Sequence, residues 1–260
     1  MPEGLLDLSR ARILLSNDDG IEANGLKVLE RIARTLSDDV WVVAPETEQS
    51  AASHSLTLRV PLRIRALGPR RFAINGTPTD SVLLAVQHIM KDGPPDLVLS
   101  GVNRGGNLGE DVTYSGTIAA AMEGTLLGVP SIALSQHVGH GQRARWATAE
   151  HHAAAVIRKL AAIGWPKGVL LNVNFPDVPA EQVSGIVVAS QGRRKLGGEL
   201  ERRLDPRGVP YYWIGTMRTE EPSRRGSDLA AINRGAISVT PLSLDLTHRQ
   251  TMMRLREKLG

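Results

Sequence analysis

Short apolar runs that do not alternate, each followed by a helical pattern, constrain this chain more than any other feature. The runs lie at 13–16, 40–44, 97–100, 131–135 and 169–174 and are rich in Val, Ile and Leu. Strands covered on both faces read this way, whereas a half-exposed strand alternates apolar with polar residues. Helical patterns fall at 25–36, 80–91, 115–127 and 145–163. The alternation predicts an α/β fold, a doubly wound and mainly parallel sheet with right-handed crossovers. A chain of 260 residues is long enough to bury one substantial core of this kind.

Two stretches depart from the rhythm. Residues 56–67 followed by 71–74 read as a β-excursion, with Gly68-Pro69 as its turn. Residues 184–217 hold two strand-like pieces, 185–189 and 211–216, around a charged segment with Gly197-Gly198 and Pro206. This segment reads either as a protruding hairpin arm that reaches a neighbouring subunit or as a surface loop; the residues do not separate the two. The end, 242–260, is expected to be a basic amphipathic helix anchored by Leu244, Met252, Leu255 and Leu259. It should pack on the body or on another subunit rather than on membrane.

The chain has no cysteine, which excludes disulfides, zinc-thiolate sites, iron–sulfur clusters and thiol nucleophiles. Aromatic residues make up only 3%, too few for base-stacking platforms, so no stable nucleic-acid complex is expected. Formal net charge is +4, with arginines gathered at 63, 65, 70 and 71 and basic residues at 193–195, 202 and 203. Such clusters could attract phosphorylated small molecules or nucleic acid, but they read first as solvated strand edges and loops. No run approaches transmembrane length, and Met1-Pro-Glu-Gly-Leu-Leu-Asp7 lacks the pattern of a secretory signal, so the expected location is cytoplasmic.

Three loops follow predicted strands, at the edge where open α/β sheets bind their ligands. The first is Ser16-Asn-Asp-Asp-Gly20, with adjacent aspartates Asp18 and Asp19. Adjacent carboxylates repel and need a cation, donors or water, although Asp-Asp-Gly is also an ordinary turn. The second is Glu46-Thr-Glu-Gln-Ser-Ala-Ala-Ser-His-Ser55, with three serine hydroxyls and the imidazole of His54. The third runs from Ser100-Gly-Val-Asn through a glycine- and asparagine-rich loop to Ser115-Gly-Thr117, which opens an alanine-rich helix. A helix start of this kind is capped by its hydroxyl residue and offers backbone N–H groups to an anion such as phosphate. Its spacing matches neither G-x-x-x-x-G-K-[ST] nor G-x-G-x-x-G.

Taken together these residues resemble the SurE family of metal-dependent nucleotidases. The matching stretches are Leu-Leu-Ser-Asn-Asp-Asp-Gly, Ala-Pro followed by Gln-Ser-Ala-Ala-Ser-His-Ser, Asn75-Gly-Thr-Pro-Thr-Asp80, Ser100-Gly-Val-Asn, Tyr-Ser-Gly-Thr, Asn172-Val-Asn-Phe-Pro176, Gly226-Ser-Asp228 and Ser238-Val-Thr-Pro-Leu242. They run in family order over most of the chain, so 1–260 is expected to form a single domain. The resemblance implies a Rossmann-like fold whose C-terminal extension is exchanged between subunits of a homodimer or homotetramer. It implies hydrolysis of nucleoside 5′- and 3′-monophosphates, with some members also acting on short polyphosphate. By motif match Asp18, Asp19, Ser50 and Asn103 hold one divalent cation per subunit, Mg2+ or Mn2+, with Asp18 and Asp19 central to catalysis. Asn107, Ser115, Gly116 and Thr117 match the positions that cradle the phosphate. The chain departs from the family in its extra residues before the first strand, in Ala-Ala-Ser before His54 where Gly or Thr is frequent, and in Ser81 where cysteine is frequent.

Two carboxylates, a hydroxyl and an amide carbonyl form an all-oxygen set, which suits Mg2+ or Mn2+ over Zn2+. Attack by water on phosphorus then requires a proton acceptor, either one of the aspartates or His54. Two rivals remain open at this point. A metal-assisted nucleoside hydrolase would release free base, and a non-catalytic phosphate- or nucleotide-binding protein would bind without turnover.

Overall fold

The computed structural model describes residues 6–139, 141–196, 200–215, 218–220 and 224–260. Its centre is a nine-stranded sheet in the order β3-β4-β2-β1-β5-β6-β7-β13-β8. The strands from the first half of the chain are β1 (Ile13–Ser16), β2 (Val40–Pro45), β3 (Ile64–Gly68), β4 (Arg71–Ile74) and β5 (Leu97–Arg104). Those from the second half are β6 (Ser131–Gln136), β7 (Val169–Phe175), β8 (Ile186–Val188) and β13 (Ile237–Ser243). The run from β4 to β7 is parallel throughout, and only β3 and β13 enter antiparallel to their inner neighbours.

Burial on both faces explains the unalternating runs. In β1, Ile13 and Leu15 point into one apolar cluster and Leu14 into the other. The first cluster lies under α1 (Asn24–Arg34) and α4 (Trp146–Ile163). The second lies under α2 (Pro78–Leu84), with a third beside α3 (Gly116–Leu126). From β1 the chain winds outward through β2 and β4, then returns to β5 on the other side of β1 and continues through β6 and β7. The winding reverses between β1 and β5, and the crevice at the carboxyl ends of these strands is where such folds take ligands.

Several sequence expectations need correction. The helix expected at 80–91 starts at Pro78 and relaxes into a wider π turn at Ala85–Ile89. Thr77 caps it, with a reciprocal contact from Asp80, and Pro78 takes the first-turn position where its missing N–H costs nothing. Of the excursion at 56–67, only the end is strand. The C-terminal helix does not begin at 242. Residues 237–243 form β13, and α6 spans Arg249–Leu259. Pro241 hid that strand; it is tolerated because β8 pairs only with 237–239, leaving Pro241 at an edge.

The arm region also differs from expectation. The piece predicted at 185–189 is β8, part of the main sheet rather than of a hairpin. The hairpin instead pairs β10 (Leu200–Leu204) with β11 (Pro210–Ile214), and a small ribbon pairs β9 (Arg194–Leu196) with β12 (Arg218–Glu220). The predicted Gly197-Gly198 turn and positions 216 and 217 lie outside the described residues. A short helix, α5 (Asp228–Asn233), leads from the arm to β13. Among the described residues no helix is long and apolar enough to cross a membrane.

Candidate active site

The three loops predicted from sequence surround one cavity of about 700 Å3 beyond the ends of β1 and β5. Asp18, Asp19, Ser50, Asn103, Asn107 and Ser115 line it, together with Glu48, Asp111, Tyr114, Arg143 and Trp146. Gly116 and Thr117 stand behind this wall and are buried.

Asp18 is almost fully buried and Thr117 Oγ1 donates to its Oδ1 at 2.6 Å. Loss of hydration pushes the Asp18 carboxyl up to about 6; the Thr117 hydrogen bond lowers it and the neighbouring Asp19 charge raises it further. Burial also raises Asp19, which accepts the Arg104 backbone N–H at 3.3 Å. Gly116 explains how α3 comes so close to the first loop. A Cβ at that position would lie 2.6 Å from the Asp18 Cβ, so only glycine fits. Gly25 does the same for α1, where a Cβ would fall 1.9 Å from the Val102 carbonyl oxygen.

The hydroxyl loop is tied to both neighbours. Gln49 N–H donates to the Asp18 carbonyl at 2.8 Å, and Ser53 Oγ–H donates to the Thr113 carbonyl at 2.8 Å. Ser50 Oγ–H donates to Glu48 at 2.6 Å, which orients the oxygen and leaves its lone pairs as acceptors. Ala51 and Ser53 adopt φ of 61° and 52°, a region that glycine enters freely and alanine does not. The loop keeps this shape without the glycine frequent in the resembled family. His54 does not line the cavity; its Nε2 lies 2.9 Å from Glu123 Oε2.

Asn103 reaches the cavity through an irregularity in β5. Pairing with β6 runs Ser100↔Ala133 and then Asn103↔Ser135, so β5 carries one extra residue. Such a bulge re-aims the side chains that follow it. The Asn103 amide nitrogen donates to the Gly105 carbonyl at 2.8 Å, which fixes the amide with its oxygen free to accept. Asn107 is locked from below. Asn174 Oδ1 accepts its N–H at 2.8 Å, Asn172 and Asn174 both donate to its carbonyl, and its side-chain nitrogen donates to Ser135 at 2.8 Å. At the head of α3, Ser115 Oγ accepts Ile118 N–H at 3.1 Å.

Asn172, Asn174 and Asp228 support this wall from outside the three loops. Asn172 and Asn174 stand two apart in an otherwise apolar strand, and two amides inside a core require a partner; that was the signal. Asp228 accepts backbone N–H groups from Gly109 at 2.9 Å and Gly192 at 2.8 Å. The basic clusters split in character. Arg65, Arg70 and Arg71 pair with Glu46, Asp39 and Glu30 near the surface; in the second cluster Arg193, Arg202 and Arg203 are exposed as expected, and Arg194 is buried, which corrects the expectation at that residue.

Among the described residues no three His, Cys, Asp or Glu side chains form a ready metal cluster. The donors that line the cavity are mixed: carboxylates of Asp18 and Asp19, the Ser50 hydroxyl and the Asn103 amide oxygen. A divalent cation fits this set, because it would offset two carboxylates whose charged forms burial disfavours.

Comparison with known proteins agrees with the motifs. The family described as Survival protein SurE matches residues 13–198. A relative named 5′-nucleotidase SurE, from Paramagnetospirillum magneticum, is 65% identical over 249 residues, covering 96% of this chain and 96% of its own. Another of the same name, from Rhodospirillum rubrum, is 61% identical and covers 95% of this chain and 96% of its own. The crystal structure of the SurE protein from Aquifex aeolicus superposes with a TM-score of 0.83 at 38% identity, covering 95% of this chain and 99% of that one. The chain belongs to the SurE family.

Proposed function

We propose that this chain is a phosphomonoesterase that hydrolyses nucleoside 5′- and 3′-monophosphates with the help of one divalent cation, Mg2+ or Mn2+, per subunit. One observation carries the reading. Paired, desolvated carboxylates and a capped helix start, the two things such a hydrolysis needs, line the same cavity. The names of the relatives, 5′-nucleotidase SurE, support the activity.

In this reading Asp18, Asp19, Ser50 and Asn103 hold the cation. When bound, it polarises a phosphoryl oxygen and lowers the pKa of water. The chain's own groups do the remaining work. Thr117 fixes one oxygen of Asp18, so the carboxylate enters the reaction already oriented. Asn107 and Ser115, which line the cavity, are the groups that would receive the phosphate oxygens, with Gly116 and Thr117, matched by motif to the same cradle, behind them at the positive end of the α3 dipole. With His54 turned to Glu123, the proton acceptor for the attacking water is an aspartate of the pair. Short polyphosphate would present the same terminal group. The whole chain acts as one unit, in a homodimer or homotetramer joined through the arm and α6, in the cytoplasm.

The test is incubation with AMP and GMP, as 5′ and 3′ isomers, with Mn2+ or Mg2+. Phosphate release that a chelator abolishes supports the proposal. Free base without phosphate would identify a nucleoside hydrolase, and binding without turnover a sensor.

A further inference from the structure

We propose that Arg194, at the root of the arm, is a positioning residue for the phosphate-holding loop and cancels the charge of a carboxylate in the cavity wall. This rests on the reading of the cavity given above. Arg194 opens β9, yet its side chain is only 3% exposed. Its guanidinium donates to the Asp111 carboxylate and, at 3.2 Å, to the Gly106 carbonyl. Its backbone N–H donates to Glu110. Arg194 therefore grips both ends of the 106–111 loop, and Asn107 lies between the two grips.

Asp111 gives that grip a chemical meaning. Its side chain is 7% exposed and lines the cavity together with Asn107 and Ser115. Its carbonyl accepts the Ser115 N–H at 3.1 Å, so Asp111 also sets where the α3 cap sits. A carboxylate facing a site for a phosphate dianion repels it unless a cation neutralises the carboxylate from behind. Arg194 does so, donating from one nitrogen, Nη2, to both the carboxylate and the carbonyl; a lysine keeps the charge but sets its donor on a different, shorter stem. Asp228 and Gln191 reinforce the seam: Asp228 joins Gly109 to Gly192, and Gln191 donates to the Gly109 carbonyl at 3.0 Å. The root of the arm is thus part of the wall that holds phosphate.

The experiment measures AMP hydrolysis with Mn2+, and its inhibition by inorganic phosphate, in four proteins: wild type, Arg194→Lys, Arg194→Met and Arg194→Met with Asp111→Asn. The phosphate inhibition constant belongs to the folded molecules, so lost stability alone does not move it. We expect it to rise about tenfold in Arg194→Met and at least about threefold in Arg194→Lys, KM to follow, and kcat to change less. Adding Asp111→Asn should recover most of the loss, because the uncancelled charge is gone. Should Arg194→Met not fold, Arg194→Lys and the double variant carry the test. A phosphate constant within twofold of wild type in every folded single variant, Arg194→Lys and Arg194→Met, overturns the proposal. A double variant as weak as Arg194→Met overturns the charge-cancelling role. Absence of phosphate release by the wild type would instead remove the reading of the cavity itself.

Discussion

The carboxyl edge of the parallel sheet and the arm with α6 use apolar and charged residues in opposite ways. Along the edge, β1 is buried at every position and β5 is buried up to the residue where it turns into the cavity. In β10 and β11 every residue is exposed, including Tyr211, Tyr212, Trp213 and Ile214. Helix α6 buries none of its residues and exposes Met253, Leu255 and Leu259. A two-stranded hairpin is marginal by itself, and large exposed apolar patches are uncommon on a protein that stands alone. The edge is covered within one chain, whereas the arm leaves its apolar side chains uncovered. This contrast supports the proposed homo-oligomer, and the root at Arg194 is where the two regions join.

The contrast can be broken most directly at the cavity. Asp18→Asn or Asp19→Asn is expected to lower kcat/KM for nucleotide hydrolysis by about a thousandfold or more, since each removes a charge that the proposed cation would need. Wild-type phosphate release from either variant would discard the ligand assignment. Gly116→Ala should come next, because the new methyl meets the Asp18 side chain at 2.6 Å. Overpacking of this kind costs about 1–3 kcal/mol, read as a lower Tm, and should take most of the activity with it. A stable, fully active Gly116→Ala would mean that α3 can retreat without consequence.

Thr117→Ala should have a smaller effect, about 1 kcal/mol on transition-state stabilisation, because the backbone donors stay and only the hydroxyl that orients Asp18 is lost. Thr117→Ser should recover it; failure of serine to do so would make the threonine methyl, not the hydroxyl, the operative group. Smallest at the level of the single chain is Trp213→Ser in the arm, expected to change stability by less than about 0.5 kcal/mol and leave kcat unchanged. Its effect should appear as a lower mass by light scattering at micromolar protein. An unchanged mass would show that the arm's aromatic face takes no part in assembly.

Much of the fold was legible because burial on both faces writes itself into composition. The first strand was predicted at 13–16 and spans Ile13–Ser16, and the helix predicted at 145–163 spans Trp146–Ile163. Boundaries slipped where a proline or a cap overrode the periodic pattern, at Pro78 and at Pro241. In the site, the motif residues were legible by type, and Asp18, Asp19, Ser50, Asn103, Asn107 and Ser115 do line one cavity. Thr117 stood in the predicted cradle, but the structure turns its hydroxyl to Asp18. Asp111, Arg194 and Asp228 had no site role legible in the sequence, because the neighbours of a charged residue along the chain carry no sign of what it will meet from more than eighty positions away.

The order of elements alone determined the layered α/β architecture and the sheet edge at which the polar loops gather, since local periodicity and turn residues decide which faces must be covered. Tertiary structure decided which polar groups became supports and which remained open to a ligand. Asn172 and Asn174 became loop anchors and Arg194 a buried counter-charge only because sheet packing removed the water that would otherwise have satisfied them. That loss of water depends on neighbours distant along the chain, and no local pattern records it.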